Sequence, residues 1–177
     1  AVSDKYANIF APAGFTFAIW AAIYLSLIGF MLYIWNVWKV EKPQLAPQDA
    51  ELILKQFTAI SLLNIAWLLS WQYEQLGISV ILMAGLVVLL LILHNKTASL
   101  KLTQQEDYAV KMPFSIYAGW ITVAAIANVT TWQVSLGWNG GGIPESAWTV
   151  VMLIVGAVVG LATALKRMDW VYSAVFI

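Results

Sequence analysis

Long apolar runs with almost no charge constrain this chain's fold more than anything else in it. From position 12 to position 38 there is not one Asp, Glu, Lys or Arg. A helix needs about 20 apolar residues to cross a hydrocarbon core of about 30 Å. Five stretches meet that need, at 12–38, 49–73, 78–94, 108–134 and 146–165, and 168–177 reads as the start of a sixth. None alternates with the period of two that barrel strands require. In lipid, a segment must satisfy its own backbone hydrogen bonds, which leaves the helix. The predicted fold class is all-α: a polytopic transmembrane helical bundle of five spans plus the start of a sixth. The 177 residues are 62% hydrophobic and 10% charged, against about 25% charged in soluble domains.

The ends of these spans carry ordinary stop and start signals. Pro47 and Asp49 suit the start of the second span, with Asp49 as its N-cap, and Asp107 is the candidate cap of the fourth. Gly77 marks the break before the third, and the loop GWNGGGIPES precedes the fifth. Neither end reads as a natural terminus: the chain starts without Met and stops about nine residues into an apolar run, so continuation past Ile177 is expected. Lys39, Lys42, Lys55, Lys96, Lys101, Lys111, Lys166 and Arg167 fall on one side of the bundle, and Lys5 alone on the other. The positive-inside rule puts the first side in the cytoplasm. The loops at 39–49 and 95–107 are then cytoplasmic and residues before 12 outside, as in a protein of the bacterial inner membrane.

Composition excludes several functions. Zero net charge offers no surface for nucleic acid. The absence of Cys and a single His exclude disulfides, thiolate metal sites and multi-His centres. No Asp, Glu, Lys or Arg lies deep in a span, which argues against proton pumping and charge-coupled transport. There are no paired carboxylates and no nucleophile beside a base, so an enzyme is not expected. His94, at the end of the third span, reads as an interfacial polar cap or an axial haem ligand. Gly156 and Gly160 form a GxxxG that permits close helix approach, inside the bundle or with a partner chain.

What remains inside the spans is aromatic and amide. Phe17, Trp20 and Tyr24 share one helical face, as do Asn64 and Trp67, and Asn128 and Trp132. By helical rise, Trp20, Asn64, Trp67 and Asn128 lie about 10–15 Å in from the outer ends of their spans. Both Asn residues should face the interior, where they either glue helices together or hydrogen-bond a ligand. The aromatic ladder is either an interface anchor or the wall of a site for a flat apolar molecule. Trp35, Trp38, Trp138 and Trp148 fit the interface belt.

Three separated motifs resemble the TspO/MBR family of tryptophan-rich sensory and translocator proteins. Pro12, Ala13, Gly14 and Phe15, running through Trp20 to Tyr24, are similar to that family's Pro-Pro-led entry to its second helix, with Ala13 in place of the second Pro. Leu63-Asn64-Ile65-Ala66-Trp67 resembles its L-N-x-x-W. Trp120, Asn128 and Trp132 keep its W-x7-N-x3-W spacing, although Pro113 stands seven residues before Trp120 where four is usual. The resemblance implies that 1–134 is equivalent to family helices two to five. It implies that 135–177 adds one helix and the start of another, as in a longer, divergent branch. It further implies a pocket inside the bundle for a flat hydrophobic ligand, a porphyrin-like tetrapyrrole or a sterol, used in sensing or transport. The residues implied at that pocket are Phe17, Trp20, Tyr24, Asn64, Trp67, Trp120, Asn128 and Trp132. No cofactor or metal is required. The expected partners are the lipid bilayer, the hydrophobic small molecule, and either a second copy of the chain or partner helices of a larger complex. The alternative function is a structural accessory subunit of a pigment-protein or respiratory membrane complex.

Overall fold

A computed structural model describes residues 2–6, 16, 18–138, 140–144, 147–148, 150–151, 154, 158, 171–172 and 175. The described residues form helices and connections, without a strand. The helices are α1 (Val2–Lys5), α2 (Ile19–Ile34), α3 (Pro47–Gln72), α4 (Leu76–Ala98), α5 (Gln104–Glu106) and α6 (Met112–Ser135), with a π turn at Asp107–Lys111 joining the last two. Among the described residues, three segments are long and apolar enough to cross a membrane: α3, α4 and the continuous run Gln104–Ser135. The shorter apolar α2 joins them. The fifth and sixth expected spans fall mainly outside the described residues, as do the Gly156–Gly160 motif and most of the first span before Ile19.

Several boundaries differ from expectation, each for a local reason. Helix α3 starts at Pro47 behind Ala46, whose side chain makes no capping bond. Proline's fixed φ and missing N–H suit the first helical position. Asp49 is therefore inside the first turn, and it pairs with Lys96 of α4 at 2.7 Å. Asp107 is not the cap of the next helix either. Thr103 is, in a reciprocal capping box with Glu106. The chain reverses after α3 at Glu74 (φ 57°) rather than at Gly77, which lies inside α4. At that end Gln75 N–H donates to Ser70 O (2.8 Å) and Glu74 N–H to Trp71 O (3.0 Å), a Schellman ending. The end of α2 repeats it at Asn36 (φ 57°), with Val37 N–H on Leu32 O (2.9 Å).

Helix α6 is the most buried of the long helices and carries the bundle. It packs on α4 and on α2, and α3 packs on α4. Gly85 of α4 permits the α3 approach: a Cβ there would stand 3.1 Å from Leu63 Cδ2. Phe30, Phe57 and Phe114 bring α2, α3 and α6 together edge to face, with centroids 5.1–6.0 Å apart. Outward faces such as Leu62, Ile65 and Leu69, or Ile81, Val88 and Ile92, are exposed. Contiguous apolar surface of that kind suits a lipid surround.

His94 is not an interfacial cap; it is 1% exposed. The ring of Tyr172 lies 5.5 Å from it, and Tyr172 Oη is 3.0 Å from Thr122 Oγ1. Gly119 makes room for this segment, since a Cβ there would stand 2.9 Å from the Tyr172 carbonyl oxygen.

Glu106 is fully buried and ties the start of α6 to the connection between α2 and α3. Its carboxylate accepts from Tyr33 Oη (2.7 Å), Gln44 N–H (2.9 Å) and Leu45 N–H (2.9 Å), and from Thr103 N–H (2.9 Å) and Thr103 Oγ1 (3.0 Å). At the other end, Lys5 pairs with Glu74, and Tyr6 Oη donates to Glu74 (3.0 Å).

Candidate functional site

Helix α2 leans on α6 and α3 on α4, and α2 and α3 meet through Phe30 and Phe57. Between them lies a cleft of about 650 Å³. From α2 it is lined by Tyr24, Leu27, Ile28, Met31 and Leu32, with Trp35 just beyond; from α3 by Phe57, Ser61, Asn64, Ile65 and Leu68; from α6 by Tyr117. Among the described residues, Ile28, Leu32, Ile65 and Leu68 of this lining are exposed.

One end of the cleft is an aromatic wall. Trp20 stacks on Tyr24 at 5.6 Å between ring centroids. It meets Tyr117 at 6.0 Å and Trp120 at 6.3 Å, both edge to face. Trp20 is held from behind by Trp120, which is 2% exposed, and it braces Tyr24 at the cleft surface. Opposite stands Asn64, 8% exposed, whose Oδ1 has no hydrogen-bond partner among the described residues. A buried amide left unpaired costs about 1–3 kcal/mol unless a partner arrives. Ser61, one turn earlier, donates its hydroxyl to Phe57 O at 2.8 Å.

The eight sequence-derived residues therefore divide. Tyr24 and Asn64 line the cleft, and Trp20 and Trp120 build its wall. Trp67 is half-buried beside Trp71 at 6.2 Å, outside the lining. Asn128 is inward-facing but engaged: it exchanges hydrogen bonds with Ser79 of α4 at 3.1 and 3.3 Å, the helix-joining role. Trp132 stands over α4 at Gly77, where a Cβ would lie 3.4 Å from its indole nitrogen. Phe17 lies outside the described residues. Sequence reasoning missed Tyr117, although it precedes Trp120 by three and shares its face. It also assigned Trp35 to the interface belt alone, whereas Trp35 is among the residues lining the cleft.

A family model described as TSPO-like protein matches residues 1–177. The chain belongs to the TSPO-like family. The match extends past the motifs to Ile177, so it includes the segment after position 134. Comparison with curated proteins and with solved structures finds no match for the chain. With its apolar helices, this TSPO-like chain is an integral membrane protein. Among the described residues of the TSPO-like bundle no cluster of His, Cys, Asp or Glu could hold a metal ion. Its site chemistry is aromatic faces plus a carboxamide.

Proposed function

We propose that the protein binds a rigid or flat hydrophobic ligand, a porphyrin-like or sterol-like molecule, in the α2–α3 cleft, for sensing or transport. One observation carries the reading: a cleft of about 650 Å³ with an aromatic wall and a buried Asn64 whose Oδ1 has no partner among the described residues. Ligand sites are typically concave and mostly apolar, with a few placed polar groups. The cleft favours this reading over the accessory subunit, whose helices would fill their own interior. The basic connectors at 39–49 and 95–107 support a cytoplasmic position for the Glu106 end and an outer position for the aromatic wall.

The test is quenching of tryptophan fluorescence by an uncharged porphyrin ester or a sterol in lipid nanodiscs. Saturable quenching is expected in the wild type. Ile28→Trp, at the exposed rim, places an indole in the opening and should remove it. Saturable quenching that persists unchanged in Ile28→Trp places the ligand elsewhere and refutes the reading.

A further inference from the structure

We propose that the end of α6 carries a second binding site, a notch for a quaternary ammonium group walled by Trp138 and Trp148. The inference goes beyond the α2–α3 cleft and does not depend on it.

Helix α6 closes in a Schellman ending. Gly137 stands at φ 69° with its N–H on Val134 O (2.9 Å), and Trp138 N–H returns to Gln133 O (3.1 Å). A left-handed residue is needed to turn the chain there, and glycine takes that conformation freely. The turn brings Trp138 back beside the last helical turn. Gln133, Leu136, Gly137 and Trp138 line a notch of about 490 Å³ at this point. The ring of Trp148 meets that of Trp138 with centroids 4.9 Å apart and planes at 77°. Two indoles near a right angle make a corner, and Trp138 is 40% exposed at it.

Three features of the corner attract positive charge. Indole faces hold quaternary ammonium groups through the ring quadrupole. The notch lies at the C-terminal, negative end of a 24-residue helix. The Gln133 Oε1 is buried and has no hydrogen-bond partner among the described residues. A primary ammonium is strongly hydrated and brings three N–H donors that all need acceptors. A quaternary ammonium has none. Its polarised methyl groups pack on the indoles and on Leu136, and touch the carboxamide oxygen through weak C–H contacts. The Trp148 Nε1 also lacks a partner among the described residues. It can donate to an oxygen carried near the ammonium, as in choline. The positive-inside reading puts this end of α6 outside. In that reading the outer segments of the sequence carry Asp4, Glu74 and Glu145 against Lys5, a balance that draws cations.

The test uses choline and its neutral isostere, 3,3-dimethylbutanol, on the full chain labelled with 5-fluorotryptophan. The chain sits in phosphatidylglycerol nanodiscs at about 0.5 M salt, which screens accumulation of cations at the lipid surface. Fluorine resonances of Trp138 and Trp148 are assigned by their loss in Trp138→Phe and Trp148→Phe. Choline should shift both resonances saturably and bind about tenfold more tightly than the isostere. Trp138→Leu, read on the Trp148 resonance, should weaken choline about tenfold. The comparison with the isostere stands even if Trp138→Leu fails to fold. Equal binding of choline and isostere overturns the proposal, leaving only an apolar notch. Resonances of Trp138 and Trp148 that do not move, or a choline affinity unchanged in Trp138→Leu, overturn it too. Repeating the titration in phosphatidylcholine nanodiscs separates two sources of the group. A weaker apparent choline affinity there supports the site as one for a lipid headgroup, and an unchanged affinity supports it as one for a free solute.

Discussion

Replacing Glu106 tests how the two walls of the cleft are held. The run Gln104–Ser135 is 32 residues, about 48 Å, against a hydrocarbon core of about 30 Å. Its first turns, with Glu106, Asp107 and Lys111, therefore stand outside the hydrocarbon. Burial raises the Glu106 carboxyl, but bonds donated by Thr103, Leu45, Tyr33 and Gln44 outweigh it and bring the pKa from 4.5 to about 2. That difference is worth about 3 kcal/mol at neutral pH. Glu106→Gln turns one accepting oxygen into an NH2 donor, so either the Tyr33, Gln44 and Leu45 donors or the Thr103 N–H and hydroxyl lose their acceptor, which by itself costs about 2–4 kcal/mol. The two figures agree. Because the folded pKa is depressed, the contribution is complete above about 4.5 and is lost as pH falls toward about 2. Glu106→Gln should lower unfolding free energy in mixed micelles by about 3 kcal/mol at neutral pH, with more than half of that difference gone by about pH 3. Comparing variant with wild type cancels the other carboxylates. A difference below about 1 kcal/mol, or one that does not shrink on acidification, refutes the account.

Other substitutions separate packing from binding. Asn128→Leu and Ser79→Ala should each lower stability by about 1 kcal/mol, and a double-mutant cycle should show coupling of about 0.5–1 kcal/mol. Neither should change affinity for the porphyrin ester or the sterol, because neither residue is among those lining the cleft. Gly119→Ala forces a methyl against the Tyr172 carbonyl at 2.9 Å and Val175 at 3.1 Å. It should cost about 1–3 kcal/mol and speed proteolysis within 170–177, and an unchanged cleavage rate would show that this contact does not hold the segment.

The helical class and the positions of three long helices could be read from the sequence, because an apolar run of about 20 residues has few alternatives in lipid. Inward-facing Asn64 and Asn128 were legible for a related reason: an amide facing lipid is costly. Their different roles were not. Whether an inward Asn meets a ligand or a neighbouring helix depends on what stands opposite, and Ser79 opposite Asn128 is set by the α4–α6 register. The helix starts were misread where two residues competed to cap. Asp107 looks like a cap, yet Thr103 and Glu106 form a reciprocal pair that starts the helix four residues earlier. The burial of His94 depended on Tyr172, 78 positions away, and no local signal reports such a contact.

The cleft itself follows from an imbalance in how the helices are joined. Helices α3, α4 and α6 share extensive faces, closed by Gly85 and by the Asn128–Ser79 pair. Helix α2 is shorter, and it reaches the bundle through Trp20 on Tyr117 and Trp120, and through Phe30 on Phe57 and Phe114. Past Phe30, Tyr33 is hydrogen-bonded to Glu106, which also accepts from Gln44 and Leu45 just before α3. Both walls are thus fastened at one end, where Phe30 also meets Phe57 across them at 5.6 Å. If that is the cause, the gap should be a static feature of the apo protein, with no ligand needed to open it. Accessibility to a lipid-phase quencher of a lone fluorophore at position 65 should then be the same with Glu74 intact or changed to Gln, because the Lys5–Glu74 contact lies at the other end of α3. In Glu106→Gln it should change, because that substitution loosens the fastened end.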